Sequence, residues 1–172
     1  MDGVALRDIV SEVRAVVHSP RRRAFEVLVP IDLTTIFRGM GPLPAVSGVE
    51  DQVGDWDAVG QTRTVRLADG SSLREELTAF DPPAHFAYTI DRLTGALRHL
   101  VHGMKGAWWF EEGSGDDGSP TTAIRWRYAF QPRNAFARPL AVGIIRLFWQ
   151  RYMVRALALG IEQVEHRTDA SP

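Results

Sequence analysis

The sequence of 172 residues contains no cysteine, which excludes disulfide bonds, thiolate metal sites and thiol nucleophiles. Lysine is nearly absent too: of the 20 Lys and Arg residues only Lys105 is a lysine, so it is the one lysine amine available for Schiff-base chemistry. Neither sign of charge is in excess, because 21 Asp and Glu residues bring the net charge to −1. General nucleic-acid binding usually needs a strong basic excess, so we expect no nucleic-acid partner.

Long apolar runs are also missing. The longest one near a predicted helix is Ala141–Ile145, bounded by Arg138 and Arg146. A membrane-spanning helix needs about 20 predominantly apolar residues. The first residues, Met1–Asp8, are interrupted by charge and contain no apolar signal-peptide core. We therefore expect a cytoplasmic protein with no membrane span.

The residues that are present have the composition of an ordinary folded domain, with 45% hydrophobic and 24% charged residues. These values argue against disorder, and the length fits one domain. We expect a single ligand-binding domain over residues 1–172, with a core at about 7–165 and a polar tail at 166–172.

The first part of the chain alternates between strand and helix signals. Apolar residues mixed with polar ones predict a strand over Ile9–His18. Ser19 suits the N-cap and Pro20 the first position of a short helix, which Pro30 stops. Asp32 is then placed to cap a second short helix.

From Val46 onward the apolar period changes to two, which predicts six strands separated by turn residues. They cover Val46–Gln52, Gln61–Leu67, Ser72–Phe80, Phe86–Leu93, His99–Glu111 and Thr121–Gln131. Asp69-Gly70 suits a tight hairpin turn. Gly113–Gly118 matches the dinucleotide pattern G-x-G-x-x-G, but a strand follows it where that motif needs a helix, so we interpret it as a hairpin tip.

After Pro132 the period returns to 3.6, and one long helix is predicted from about Pro139 to about Glu165. One side of this helix carries Phe148, Trp149 and Tyr152, which have to be buried. The sheet is the only partner large enough. The order of elements is therefore that of an α+β protein with a meandering antiparallel sheet.

This element order resembles the START-like, Bet v 1-like superfamily, also called SRPBCC, which includes polyketide cyclase/dehydrase and lipid transport proteins. The local pattern is similar at Ser19-Pro20, Pro30–Leu33, Gly60, Leu73–Leu77, Asp81-Pro82-Pro83, Trp108, Phe110 and Trp126. The resemblance covers roughly residues 7 to 165. It implies a helix-grip fold, in which a curved antiparallel sheet of about seven strands wraps around a long C-terminal helix, with two short helices after strand 1. It also implies a hydrophobic cavity between sheet and helix, but no single reaction.

Alternation along the strands predicts which side chains face that cavity, provided that no bulge shifts the register. The strand residues are Leu73, Glu75, Leu77, Phe86, Tyr88, Ile90, His102, Met104, Trp108, Phe110, Trp126 and Tyr128, and the helix adds Trp149, Tyr152 and Met153. Lys105 alternates with Met104 and is predicted to point outward. The plainer interpretation is that the aromatic residues are simply the core under a helix.

Two polar residues of this set could carry chemistry. Glu75 lies between Leu73 and Leu77, where desolvation would disfavour a lone carboxylate and suit a general base for enolisation. A salt bridge with Arg63 on the neighbouring strand, or with Arg74, is the favoured alternative, and exposure at a sheet edge is another.

His102 is the second candidate, as an acid/base group or as a hydrogen-bond partner for a ligand; a structural role is the alternative. His99 lies three residues earlier and would point to the opposite face of a strand. We therefore expect no metal site, and nothing in the sequence indicates a cofactor.

Three functions remain open. The leading one is binding, transport or sequestration of a hydrophobic or aromatic small molecule, lipid-like or polyketide-like. The second is an enzyme, a polyketide cyclase/aromatase or dehydratase, that uses Glu75 and His102 or a cavity tyrosine. The third is an interaction module or homodimer, because Ile144, Leu147 and Val154 interrupt the polar side of the last helix.

Overall fold

The computed structural model describes residues 7–169, and it forms one antiparallel sheet with helices packed on one face. The strands are β1 (Ile9–Val17), β2 (Val46–Glu50), β3 (Thr62–Leu67), β4 (Ser72–Asp81), β5 (His85–Asp91), β6 (Val101–Ser114) and β7 (Pro120–Pro132). The helices are α1 (Arg21–Leu28), α2 (Leu33–Ile36), α3 (Ala137–Ile144) and α4 (Gln150–Asp169), with a 3-10 turn at Leu97–His99. A π-helical turn, Ile145–Trp149, joins α3 to α4 without a break.

The sheet has the strand order β1-β7-β6-β5-β4-β3-β2, so β1 crosses over to pair with the last strand. It is curved, and the helix formed by residues 137–169 lies in its concave side. The helix-grip architecture predicted from the sequence is therefore confirmed, including its seven strands and the two short helices after β1.

The core lies between the sheet and the helices, and it is dominated by the aromatic side chains of β5, β6 and β7. Trp108 and Trp126 are paired across β6 and β7, and their rings stack with centroids 4.3 Å apart. Phe25 of α1 covers Phe110 edge-on at 5.3 Å. These contacts place the aromatic face of the sheet inside, as the alternation predicts.

The predicted elements in the first part of the chain are confirmed, but the start of α1 was predicted at the wrong residue. Asp32 caps α2 by accepting a hydrogen bond from the Thr34 amide at 2.9 Å. Ser19, however, makes no capping hydrogen bond: Pro20 itself occupies the N-cap of α1, and the buried Ser19 hydroxyl has no hydrogen-bond partner in the described chain. The predicted helix boundary was therefore one residue too early.

The hairpin turns match their residue types. Gly70 has a φ of 83° in the β3–β4 turn, a conformation that costs glycine little. At the β6–β7 tip the amide of Gly115 donates to the carbonyl of Ser119 at 2.8 Å. The glycine pattern at 113–118 is thus a hairpin tip.

The C-terminal helix is longer than predicted, since helical residues begin at Ala137 and continue to Asp169. The first part of the predicted polar tail is therefore helical, and residues 170–172 lie outside the described residues. Among the helices of residues 7–169, none is long and apolar enough to cross a membrane.

Candidate functional site: a cavity beneath the C-terminal helix

A cavity of about 190 Å³ lies between the sheet and the C-terminal helix. Its wall is mostly apolar. It is lined by Leu33, Phe37, Pro42, Leu43, Pro44, Val46, Val65, Leu67, Asp69, Ser71, Leu73, Glu75, Ile90, Ala96, Leu97, Leu100, Met104, Tyr128, Ile144, Trp149 and Tyr152. The exposed members of this set are Pro42, Asp69 and Ala96, and they mark the mouth.

The deep end of the cavity is closed by a buried ion pair. Arg63 of β3 and Glu75 of β4 are directly opposite each other, and Arg63 Nε donates to Glu75 Oε2 at 2.7 Å. Both residues are under 10% exposed. The guanidinium also lies 4.0 Å from the ring centroid of Trp56, which covers it. This pairing is the structural alternative that the sequence analysis favoured for Glu75.

Two tyrosines lie beside the ion pair and bond each other. The hydroxyl oxygens of Tyr88 and Tyr128 are 2.8 Å apart. Burial, followed by the nearby charge of Glu75, raises the pKa of Tyr88 to about 12. Burial and the neighbouring Tyr88 raise the pKa of Tyr128 well above its usual value. Both side chains therefore stay protonated in the folded protein at neutral pH.

Glycine at position 106 makes room for this pair. Gly106 lies opposite Tyr88 in the β5–β6 pairing, and a Cβ atom there would collide with the Tyr88 ring. The ring can lie flat against the β6 backbone only because position 106 has no side chain. The sequence offered no argument for this residue.

A second, smaller space of about 20 Å³ lies deeper, among Arg63, Glu75, Tyr88, Trp126 and Tyr128. A volume of this order has room for about one water molecule. The polar groups around it are the Arg63–Glu75 pair and the two tyrosine hydroxyls, and the buried Trp126 ring lies in its wall.

Trp149, at the end of the π-helical turn, forms part of the cavity wall. Its ring is held edge-on by Tyr128 at 5.2 Å and by Phe130 at 5.3 Å. Its Nε1 is buried by these neighbours and has no hydrogen-bond partner within residues 7–169.

Tyr152 of α4 forms hydrogen bonds to the loop at residues 39–44, which borders the cavity mouth. Its hydroxyl donates to the carbonyl of Pro44 at 2.8 Å and accepts from the amide of Gly39 at 3.2 Å. Partial burial raises the pKa of Tyr152 above its usual value. The tyrosine therefore couples the loop at residues 39–44 to α4.

Seven of the predicted cavity residues line the main cavity: Leu73, Glu75, Ile90, Met104, Tyr128, Trp149 and Tyr152. The inner space adds Phe86, Tyr88, Trp108 and Trp126. Leu77, Phe110 and Met153 are buried but line neither space, and they belong to the packed core.

The predicted inward position of His102 is wrong, because that side chain is exposed on the outer face. A bulge between Val101 and Gly103 shifts the register of β6 against β7, so that His102 and Met104 point to opposite faces. Ile144 was assigned to the polar side of the last helix, and it instead lines the cavity.

Sequence reasoning missed the residues that come from irregular segments. Trp56 lies in the loop between β2 and β3 and is almost fully buried, and the segment Phe37–Val46 contributes several mouth residues. A tryptophan flanked by Asp55 and Asp57 was a signal for a buried anchor in that loop. Within the described chain, no group of three His, Asp or Glu residues is arranged to hold a metal ion.

Comparison with known proteins supports this architecture at low sequence identity. A truncated norcoclaurine synthase from Thalictrum flavum superposes with a TM-score of 0.66 at 15% identity, covering 95% of this chain and 97% of that one. Ara h 8.0201 superposes with a TM-score of 0.62 at 18% identity, covering 92% and 99%.

A protein from Nitrosospira multiformis gives a TM-score of 0.61 at 16% identity, covering 92% of this chain and 99% of that one. Neither a family model nor a curated protein sequence matches the chain. At these identities the likeness establishes the fold alone. The resemblance found in the sequence is thereby confirmed as a structural one: the chain has the Bet v 1-like helix-grip fold.

Proposed function

We propose that the protein binds a small hydrophobic or aromatic molecule in the cavity beneath its C-terminal helix. The observation that carries the proposal is a space of about 190 Å³ with a mostly apolar wall and few polar groups. Sites of this composition are the usual sites of small-molecule binding. The polar residues in its wall are Asp69, Ser71 and Tyr152, with Glu75 and Tyr128 at the deep end.

The size of the cavity limits the ligand. An apolar cavity of about 150 Å³ accepts benzene, whereas typical drug-sized sites are about 300–1,000 Å³. A volume of about 190 Å³ therefore favours one or two rings, or a short chain, over a complete two-chain lipid. The apolar part of such a ligand would contact Leu73 and Leu97, and a polar atom would face Glu75 and Tyr128 at the deep end.

The direct test is to extract the purified protein and identify any co-purifying molecule by mass spectrometry. In parallel, a solvent-sensitive fluorescent probe with two rings, such as a dimethylaminonaphthalene ketone, reports on binding to the cavity. Leu97→Trp fills the mouth side of the cavity and is expected to abolish probe binding. Val59→Trp places the same ring at an exposed position outside the cavity and should leave it unchanged. Equal probe binding by both variants would refute the cavity as the ligand site.

A second candidate function is acid/base catalysis on a polyketide-like ligand. One observation favours it: Glu75 borders both the main cavity and the inner space, next to the Tyr128 hydroxyl. The ion pair with Arg63 holds this carboxylate in place between the two spaces.

Paired variants separate catalysis from binding. Turnover of a poly-β-ketone that is lost in Glu75→Gln and kept in Glu76→Gln would support an enzyme. Glu76 is the matched control, because it follows Glu75 on the same strand and is paired with Arg74 on the other face. If neither variant changes product formation, Glu75 is not a catalytic residue.

A further inference from the structure

An exposed apolar stripe runs along the C-terminal helix outside the cavity. It consists of Phe136, Leu140, Leu147 and Val154, whose exposed fractions are 95%, 60%, 57% and 55%. All four lie on the solvent-exposed side of the helix and its first turn, and the π-helical turn between Leu140 and Val154 makes the row wind around that side. Because exposed apolar side chains gathered on one side of a helix mark interaction sites, this apolar stripe indicates a binding surface.

The stripe is next to the cavity. Ile144 lies four residues after Leu140 and three before Leu147, so it is their neighbour on the helix surface. Ile144 also lines the cavity. A partner seated on the stripe is therefore in contact with the helix turn that forms one wall of the cavity.

Along the chain, the segment that carries the stripe has basic residues and no acidic ones. There is no acidic residue between Asp117 and Glu162, whereas exposed Arg146, Arg151 and Arg155 lie on the helix itself. The whole protein has a net charge of −1, whereas this segment is positively charged.

A second cationic segment adjoins the cavity mouth. The stretch between Asp91 and Glu111 also lacks acidic residues, and it includes Arg98. Arg133 Nη1 donates to the carbonyl of Arg98 at 3.1 Å, which joins this stretch to the start of α3. Asp69, across the mouth, is the acidic side chain that lines its rim.

We propose that the apolar stripe docks on an anionic lipid surface, with the helix lying in the plane of the interface. Helices that bind membranes in this way combine large apolar side chains with arginine or lysine at the level of the headgroups, and here Arg146, Arg151 and Arg155 flank Leu147 and Val154. Each basic residue near an anionic bilayer contributes about 1 kcal/mol, and this attraction is screened by salt. Docking here would bring the cavity wall to the surface in which hydrophobic molecules accumulate.

The charge pattern favours a lipid surface over a second copy of the chain. Two copies that met through this stripe would bring Arg146, Arg151 and Arg155 of one close to the same residues of the other. Like charges opposed in this way are destabilising, whereas anionic headgroups neutralise them. The sequence-based idea of a dimer contact through Leu147 and Val154 becomes the alternative outcome of the test.

Co-sedimentation with vesicles tests the proposal, using phosphatidylcholine alone or mixed with phosphatidylserine. Phe136→Ser/Leu147→Ser is expected to weaken binding to the anionic vesicles roughly tenfold or more, because it removes two large apolar side chains. Arg146→Gln/Arg151→Gln should weaken it about fivefold per arginine and flatten its salt dependence.

The outer face of the sheet provides matched controls. Val10→Ser/Val16→Ser removes two exposed apolar side chains of β1, and Arg14→Gln/Arg127→Gln removes two exposed arginines. Both control variants should bind the anionic vesicles like the parent protein. Loss of binding in these controls equal to that in the stripe variants would overturn the proposal.

Self-association is measured on the same samples by sedimentation velocity. A dimer that dissociates in Phe136→Ser/Leu147→Ser, with vesicle binding unchanged, would refute lipid docking and assign the stripe to a second copy. Probe binding to the cavity is measured separately, in the absence of vesicles. A protein that binds vesicles but not the probe would refute the proposed ligand site and leave the docking proposal standing. A protein that binds the probe but not vesicles would refute docking and leave the ligand site standing.

Discussion

The two ends of the cavity differ in how their side chains are used. At the deep end Arg63 is bonded to Glu75 and Tyr88 is bonded to Tyr128, and the space left there is about 20 Å³. Towards the mouth the wall is mostly apolar, and the cavity has a volume of about 190 Å³. The polar side chains of the deep end are thus paired, whereas the wider part of the cavity is bounded mainly by apolar side chains.

The largest expected effect comes from breaking the deep ion pair. Arg63→Met leaves Glu75 buried without a counter-charge and is expected to lower the free energy of unfolding by about 3–5 kcal/mol. Urea denaturation measures this. Arg66→Met removes an exposed arginine from the same strand and should change the unfolding midpoint little. Arg63→Met/Glu75→Leu should recover much of the loss, because no lone charge remains.

The second-largest effect is expected at high pH, which should lower the free energy of unfolding through the buried tyrosines. Tyrosine in an unfolded chain titrates near pH 10, whereas Tyr88 has a pKa of about 12 in the fold. Above pH 10 the unfolded state loses protons that the folded state retains. The stabilisation from Tyr88 is therefore complete well below pH 10 and falls by about 2 kcal/mol by pH 12.

Urea denaturation between about pH 9 and about pH 11.5 measures this fall. Tyr88→Phe/Tyr128→Phe should flatten the profile, because Tyr152 is then the only tyrosine left. A profile that is equally steep in this variant would show that other groups cause the alkaline loss.

The tyrosine pair itself should give a smaller, non-additive effect. Tyr88→Phe or Tyr128→Phe alone leaves the other hydroxyl buried without this partner, at a cost of about 1–3 kcal/mol. The double variant should cost less than the sum of the two, because both polar groups are gone. A double-mutant cycle from urea denaturation measures the coupling, and strict additivity would contradict the bond between them.

The smallest effect on stability is expected from truncating Leu73, which borders the cavity. Leu77 on the same strand is the comparison. Both point to the inner face of β4, but Leu77 is fully buried and Leu73 borders the cavity. Leu77→Ala should lower the free energy of unfolding by about 2–5 kcal/mol, and Leu73→Ala by less than about 1.5 kcal/mol. Equal losses would mean that the cavity wall is packed like the core.

The regular parts of the molecule could be predicted because periodicity determines them. Alternation along β7 placed Trp126 and Tyr128 inside, and antiparallel neighbours on β3 and β4 allowed the Arg63–Glu75 pair to be foreseen. The 3.6 period located the long helix and the face that carries Trp149 and Tyr152.

The errors and omissions arise where the period is broken. A bulge has no signature in the alternation of apolar residues, so His102 was placed on the wrong face. Trp56 contacts the ion pair from the loop between β2 and β3, and its own φ is 61°. This loop has no periodic pattern of apolar residues, so the position of Trp56 could not be predicted. The volume of the cavity is the space left by many side chains, so no single residue predicts it.

The only lysine has a practical consequence because of where it lies. Lys105 is exposed on β6, near the middle of the convex face of the sheet. Apart from the α-amino group, amine-reactive reagents therefore have one target on the chain. Attachment to a sensor surface through this side chain would orient every molecule alike, with the sheet against the support and the cavity mouth open to the solution.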